Sequence, residues 1–262
     1  MSWNCARRRR LSLPDAGKVK ARRRRIVRCA FLAALAAVGI AAQILLALRR
    51  PDSSPLVAES AMAALGGLRS LAAEAVWFRA DRLQDEGRYV ELSQLASTLT
   101  FLEPHTPEVW SYAAWNLAYN ISIMMPTHED RWRWVLAAIR LLRDDGLRLN
   151  PGSPELCREL AWLFELKMGA GIDDASPVYR VKWREIVEDA SSRDAWSELG
   201  FDTAVMAEVT ARYGVSDWTN PLASAIYFAH VGLGTANGRT KSMLLEIIRQ
   251  SRVMLHKQRQ EA

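Results

Sequence analysis

Leu102-Glu103-Pro104-His105-Thr106-Pro107-Glu108-Val109-Trp110 and Leu149-Asn150-Pro151-Gly152-Ser153-Pro154-Glu155-Leu156-Cys157 are two copies of one pattern, offset by 47 residues. The match runs on, because Ala114-Trp115 aligns with Ala161-Trp162 at the same offset. Each copy holds a helix-ending Pro, a Thr or Ser in the N-cap place, Pro at the first helical position and Glu in the first turn. Each choice has a physical reason. The cap hydroxyl satisfies free N–H groups, Pro lacks the donor that would be orphaned there, and Glu suits the positive end of the helix dipole.

Working outward from these two copies, the register resembles the tetratricopeptide repeat, a helix–turn–helix unit of about 34 residues. On that register Ala80, Ala114 and Ala161 take the small position of the first helix, and Gly146 takes the small position of the second. Gly87 and Tyr89 fall at the turn and the start of a second helix. Trp110 and Cys157 are equivalent, and with Leu160 and Phe164 they fill the groove between neighbouring helices. Trp115 and Trp162, inside paired helices, are expected in the repeat core. Leu92 and Leu99 depart from the pattern, standing where Ala is usual. The second unit is also too long: 47 residues against about 34 leave about 13 extra, which the register places near 121–130, between the two helices.

The resemblance covers about 73–190. It implies an all-α fold, a helix–turn–helix repeat array (an α-solenoid) of three recognisable units plus further helical pairs. Helices are read at about 60–86, with Gly66-Gly67 a candidate break, and then at 88–101, 107–122, 130–147, 154–168, 177–190, 202–213, 221–235 and 240–258. Thr127-x-x-Asp130 reads as a cap. Tyr213-Gly214 closes a helix and Asn220-Pro221 opens the next. Strand-like alternation is absent. The last helix is amphipathic, with Leu244, Ile247, Ile248 and Leu255 on one face and Arg249, Arg252, Lys257 and Arg259 crowding the other side and end. It is expected to cap the array.

The charge is divided along the chain. Residues 1–50 carry 13 basic side chains and one acid, whereas residues 51–262 carry 22 basic and 28 acidic ones. A basic arm (1–25) holds Arg7-Arg8-Arg9-Arg10 and Arg22-Arg23-Arg24-Arg25. Behind it, residues 29–48 contain no charge. A 20-residue helix is about 30 Å long, the thickness of a bilayer core. The reading is one transmembrane helix over 26–48, a linker at 49–59 and a helical body at 60–262. The excess of Lys and Arg before the span places the arm in the cytoplasm and the body outside it, in the inner membrane of a bacterial cell. Anionic lipid headgroups are the expected neighbours of the arm. Nucleic acid is not an expected partner, because topology already accounts for the charge run.

No catalytic signature, cofactor motif or metal-binding spacing is present. His105, His128, His230 and His256 are scattered, with His105 read as a solvated loop residue and His230 as a packed helix residue. Asp144-Asp145 and Asp173-Asp174 read as solvated pairs, since adjacent helix residues point about 100° apart. Cys157 reads as core packing. The one segment that reads as a contact surface is 124–134. It holds Met124, Met125, Arg131, Trp132, Arg133 and Trp134, residue types suited to interface anchors. The expectation is a non-catalytic, membrane-anchored scaffold that binds a protein or peptide outside the cytoplasm, as repeats of this family do in envelope and secretion assemblies. The rivals are an envelope enzyme, such as a cell-wall hydrolase, recognisable by carboxylates clustered inside the array, and a cytosolic adaptor using the basic arm on nucleic acid.

Overall fold

The computed structural model describes the backbone of residues 54–261 and the side chains of 70–260. The expected arm and membrane span lie outside the described residues. The chain divides into Met1–Leu68 and Arg69–Ala262. Of the first unit only part of one helix is described, and the packing below concerns the second.

Among the described residues every regular element is helical. α1 is Ser54–Asp85 and α2 is Tyr89–Leu102. α3 covers 107–124, α-helical over Pro107–Trp115, π-helical over Asn116–Ile121 and 3-10 over Ser122–Met124. α4 covers 128–149, with a π segment at Leu141–Gly146. α5 covers 154–169 and ends in the π segment Leu163–Gly169. Then come α6 (Ser176–Ser192), a short 3-10 turn Trp196–Leu199 that the sequence reading lacked, α7 (Thr203–Tyr213), α8 (Pro221–Leu233) and α9 (Gly238–Glu261). No described helix is long and apolar enough to cross a membrane.

Three expectations are corrected. The linker at 49–59 is too long, because α1 begins at Ser54. Gly66-Gly67 does not break α1. Each Gly costs about 1 kcal/mol in a helix, and the strong helix formers around the pair outweigh that. The extra residues of the second unit form no loop. The turn is only Met125–Thr127, and the added length sits in α3 and α4, each of which carries a π segment. A π turn takes in an extra residue without ending the helix.

The helix starts follow the caps. Ser153 accepts from Leu156 N–H, Thr127 from Asp130 N–H, Asn220 from Leu222 N–H and Asp202 from Ala204 N–H. Thr106 occupies the cap place of α3 without a side-chain bond. The two pattern-bearing loops are tied together directly. Asn150 Nδ2 donates to Pro104 O at 2.8 Å, and His105 Nδ1 lies 3.0 Å from Leu149 O. His105 is therefore a tether between loops as well as an exposed residue. α3 and α5 accordingly start side by side in equivalent register, and they pack against each other.

A small core of Ala80, Leu83, Leu92, Leu99 and Val109 joins α1, α2 and α3. The bulky Leu92 and Leu99 are fully buried, filling the space that smaller residues would close by tighter approach. A larger core runs through α3 to α9. Ala114, Ala161, Cys157, Leu160 and Phe164 are buried in it, as is Trp110, whose indole N–H donates to Pro104 O at 2.9 Å. Burial pushes the Cys157 thiol up to about 12. α8 is apolar nearly all round and is covered on all sides, its residues 221–229 all buried. It approaches α5 so closely that a Cβ on Gly232 would stand 2.8 Å from Cys157 Cβ.

That crossing makes a prediction. Gly232→Ala gains helix propensity, yet it forces two backbone-proximal atoms apart, and overpacking costs typically about 1–3 kcal/mol. Gly234, whose added Cβ would meet nothing nearer than 3.4 Å, is the control. Thermal melts of the full chain should show Gly232→Ala lowered and Gly234→Ala unchanged or raised.

Candidate ligand-binding face

Trp115 and Trp162 are equivalent by the 47-residue offset, and both are exposed, by 42% and 37%. The expectation that they pack the core is corrected. The buried hydrophobic positions of α3 are 109, 110, 113, 114, 118 and 121, and residue 115 lies 100° beyond 114 on the helical wheel. Each Trp therefore stands at the edge of its seam, on the outward side. Since α3 and α5 begin in register, the two indoles occupy matching places on neighbouring helices.

The π segments carry the polar half of the face. Tyr119, on the π segment of α3, stacks against Trp115 with ring centroids 5.8 Å apart. Lys167, on the π segment of α5, holds its Nζ 5.0 Å from the Tyr119 ring centroid. Lys167 is almost wholly buried and pairs with Asp173 at 2.5 Å. Arg131 lies 3.8 Å from Asp173 and 2.6 Å from Asp174, and His128 stands 3.6 Å from Asp174. Burial raises the Tyr119 phenol well above its usual range, and the charges of Glu159, Asp173 and Glu165 raise it further. Asp174 is held low, first by its hydrogen bond with Asp173 and then by Arg131. The reading of Asp173-Asp174 as a solvated pair fails for Asp173, whose side chain is 9% exposed.

Two further carboxyls line the inside of α5. Glu159 pairs with Arg158, and burial raises it against that guanidinium. Glu165 is 2% exposed and accepts from Ser251 Oγ of α9 at 3.3 Å. Burial lifts it to about 7. One turn before each exposed Trp, Ser111 Oγ and Arg158 Nε are buried without a hydrogen-bond partner; these two residues are also equivalent by the 47-residue offset. Met243 of α9 accepts from Arg158 at 3.6 Å, so α9 walls this side of α5.

The structure divides the segment 124–134 between faces. Met124 is exposed and Met125 half-buried, in the turn between α3 and α4. Arg131 belongs to the ion network above. Trp132 is buried against Tyr179, centroids 6.0 Å apart, and acts as core. Arg133 is exposed and pairs with Asp130 at 3.2 Å. Trp134 is half-buried and lines a cleft with Ser93, Ser97 and Thr100 of α2. These residues form no single surface, because residues i and i+2 of a helix point about 200° apart.

Sequence reasoning missed Tyr119, Glu159, Glu165 and Lys167. The available signal was Glu165 and Lys167 interrupting the apolar run 160–168. Among the described residues no group of His, Cys, Asp and Glu could hold a metal ion. Lys167, Asp173, Asp174 and Arg131 form one charged network, and Glu165, bonded to Ser251, stands apart from it.

The raised Glu165 makes a pH prediction. The native state holds its proton above the ordinary value of 4.5, so the unfolded chain releases that proton first. This carboxyl therefore destabilises the fold increasingly as pH rises from about 4.5 to about 7. Glu165→Gln should melt like the parent at pH 5 and above it at pH 8, a gap of the order of 1–3 kcal/mol. Parallel melting curves at the two pH values would remove this assignment.

The chain matches no protein-family model, no curated protein and no solved structure.

Proposed function

We propose that the protein is a membrane-anchored, non-catalytic helical-repeat scaffold, similar to tetratricopeptide-repeat proteins, that binds a protein or peptide partner on the face formed by α3 and α5. The observation that carries this is the pair of exposed tryptophans at equivalent positions. Exposed Trp is among the residues most enriched in binding hot spots, and here it recurs with the repeat. Helices packed side by side are about 8–10 Å apart, a span covered by three residues of extended chain at about 3.3 Å each. A ligand in the polyproline II form rises about 3.1 Å per residue with three residues per turn, so its side chains three residues apart point the same way and would meet one indole each. The repeat register, the small residues at the helix crossings and the short turns support an α-solenoid. The anchor is the uncharged run within 26–48, with the basic arm cytoplasmic and the acidic body outside the cytoplasm at the inner membrane.

One observation favours an envelope enzyme instead. Buried acids cluster inside the fold, with Glu165 lifted toward neutrality as a general acid would be. Glu165 is sealed beneath α9, with Ser251 as its hydrogen-bond partner, so it touches no open cavity, and the scaffold reading is preferred.

The test is a photo-crosslinking residue placed at 115 or 162 in the full chain in native membranes, with exposed Val181 as control. A discrete adduct is expected from 115 and 162 and not from 181. Trp115→Ala should abolish the adduct formed from 162, and Trp162→Ala the adduct formed from 115, each leaving the melting temperature unchanged. The scaffold reading fails if all sites give the same pattern. Protease added outside the inner membrane should cut the body; protection there would reverse the topology.

A further inference from the structure

α9 carries a second surface that the scaffold reading does not use. Arg249, Arg252, His256 and Arg259 follow one another at intervals of three, four and three residues, which places them in one stripe. This stripe, with Val253 and Leu255, lines a cleft closed by Tyr213 and Gly214 at the end of α7. Among the described residues no acidic side chain lines it. Arg249 is neutralised by Glu246 through two hydrogen bonds. Among the described residues Arg259 donates to neutral acceptors, Ser216 Oγ at 2.9 Å and Gly214 O at 3.3 Å. Arg252 and His256 have no partner among the described residues. Arg212 adds a further cation nearby, its guanidinium 5.6 Å from the centroid of the Tyr213 ring.

On a body that carries 22 basic and 28 acidic side chains, this concentration of unneutralised cations in one concavity is out of proportion. Like charges brought together repel, by a few tenths of a kcal/mol for each exposed pair on a helix. An anion placed among them relieves that cost. Guanidinium groups suit phosphate best, since their planar fork donates two parallel hydrogen bonds to its oxygens. Val253, Leu255 and Tyr213 add apolar lining to the cleft, so the occupant carries an apolar or sugar-like part beside its charge.

We infer that the cleft between the end of α7 and α9 binds a phosphate group, held by Arg252, His256 and Arg259. Two sources share that chemistry: the headgroup of an anionic phospholipid and a free phosphate compound.

The experiment uses the full chain in a neutral detergent at low salt. Calorimetric titrations use inorganic phosphate, a short-chain phosphatidylglycerol below its micelle concentration and the matching phosphatidylcholine. Saturable binding of phosphate or phosphatidylglycerol is expected, weakened about tenfold or more by Arg252→Glu with His256→Gln, the loss of about one charge-assisted hydrogen bond. Both side chains are exposed and without partners, so the variant should keep the parent melting temperature. If that variant fails to fold, Arg252→Gln alone serves. Phosphatidylglycerol binding that inorganic phosphate does not displace assigns the lipid source, and equal affinity with full displacement assigns the free one. The inference is overturned if neither probe saturates, if the variant binds as the parent does, or if phosphatidylcholine binds as well as phosphatidylglycerol.

Discussion

Helices α3, α4 and α5 meet where Gly146 has no side chain. A Cβ on that residue would stand 3.3 Å from Leu156 Cδ1 and 3.5 Å from Trp110 Cβ. The missing methyl group lets the end of α4 lie against the first turns of both neighbours. The same device recurs at Gly232, where α8 closes on Cys157. Helix starts that are fixed this closely stay in register. The Asn150–Pro104 and His105–Leu149 bonds then lock the register at the loops. Everything on the proposed ligand-binding face follows. Trp115 and Trp162 match because their helices begin side by side, and Tyr119 meets Lys167 because the two π segments lie at the same level.

The helices were legible in the sequence because their ends are written in local chemistry. Thr127, Ser153, Asp202 and Asn220 each satisfy free N–H groups of their own helix, so a short window suffices to find them. The added length of the second unit was legible as a number and not as a place. A repeat register counts residues between fixed points, and a loop and a pair of lengthened helices give the same count. What decides between them is whether the added residues can keep a buried face. Ala118, Ile121, Val135, Ile139 and Leu142 are all buried, and a π turn in each helix keeps that face inward while absorbing the extra residue. The sense of Trp115 and Trp162 was lost for a related reason. Equivalence by repeat says that two residues share an environment, and it does not say which one.

The buried charges were the least legible part. Lys167, Asp173 and Glu165 are distant from their partners in sequence or separated by a turn, and nothing local announces that Asp173 folds under Arg131 and Lys167. Desolvating such groups costs several kcal/mol each, which a partner repays only with good geometry. Asp173 has that geometry, between two cations. Glu165 does not: its partner is a single hydroxyl at 3.3 Å, and it responds by holding its proton. The difference follows from the packing. The loop after α5 is free to place Asp173 where the cations are, whereas Glu165 is fixed by the π segment beneath α9.

The two binding surfaces rest on opposite physics. On the proposed α3–α5 face Lys167 and Asp173 are buried and paired while the two tryptophans reach solvent, so a ligand there would gain by removing apolar area from water, roughly 25 cal/mol per Å². In the α7–α9 cleft the exposed Arg252, His256 and Arg259 reach solvent beside an apolar lining, so a ligand would gain by supplying the missing counter-charge. The first gain is insensitive to salt and the second is screened over a Debye length of about 10 Å at 0.1 M. α9 belongs to both. Through Met243 and Ser251 it walls the aromatic face, and through Arg252, His256 and Arg259 it forms the basic cleft. An amphipathic helix at the end of an array must turn a polar side outward to keep the array soluble. Uncharged polar residues would meet that need, and so would the mixed charges carried by the outer face of α6. Arg252 and Arg259, without an acidic partner among the described residues beside an Arg249 paired with Glu246, are more than solubility requires, and it is this excess that points to the proposed phosphate site.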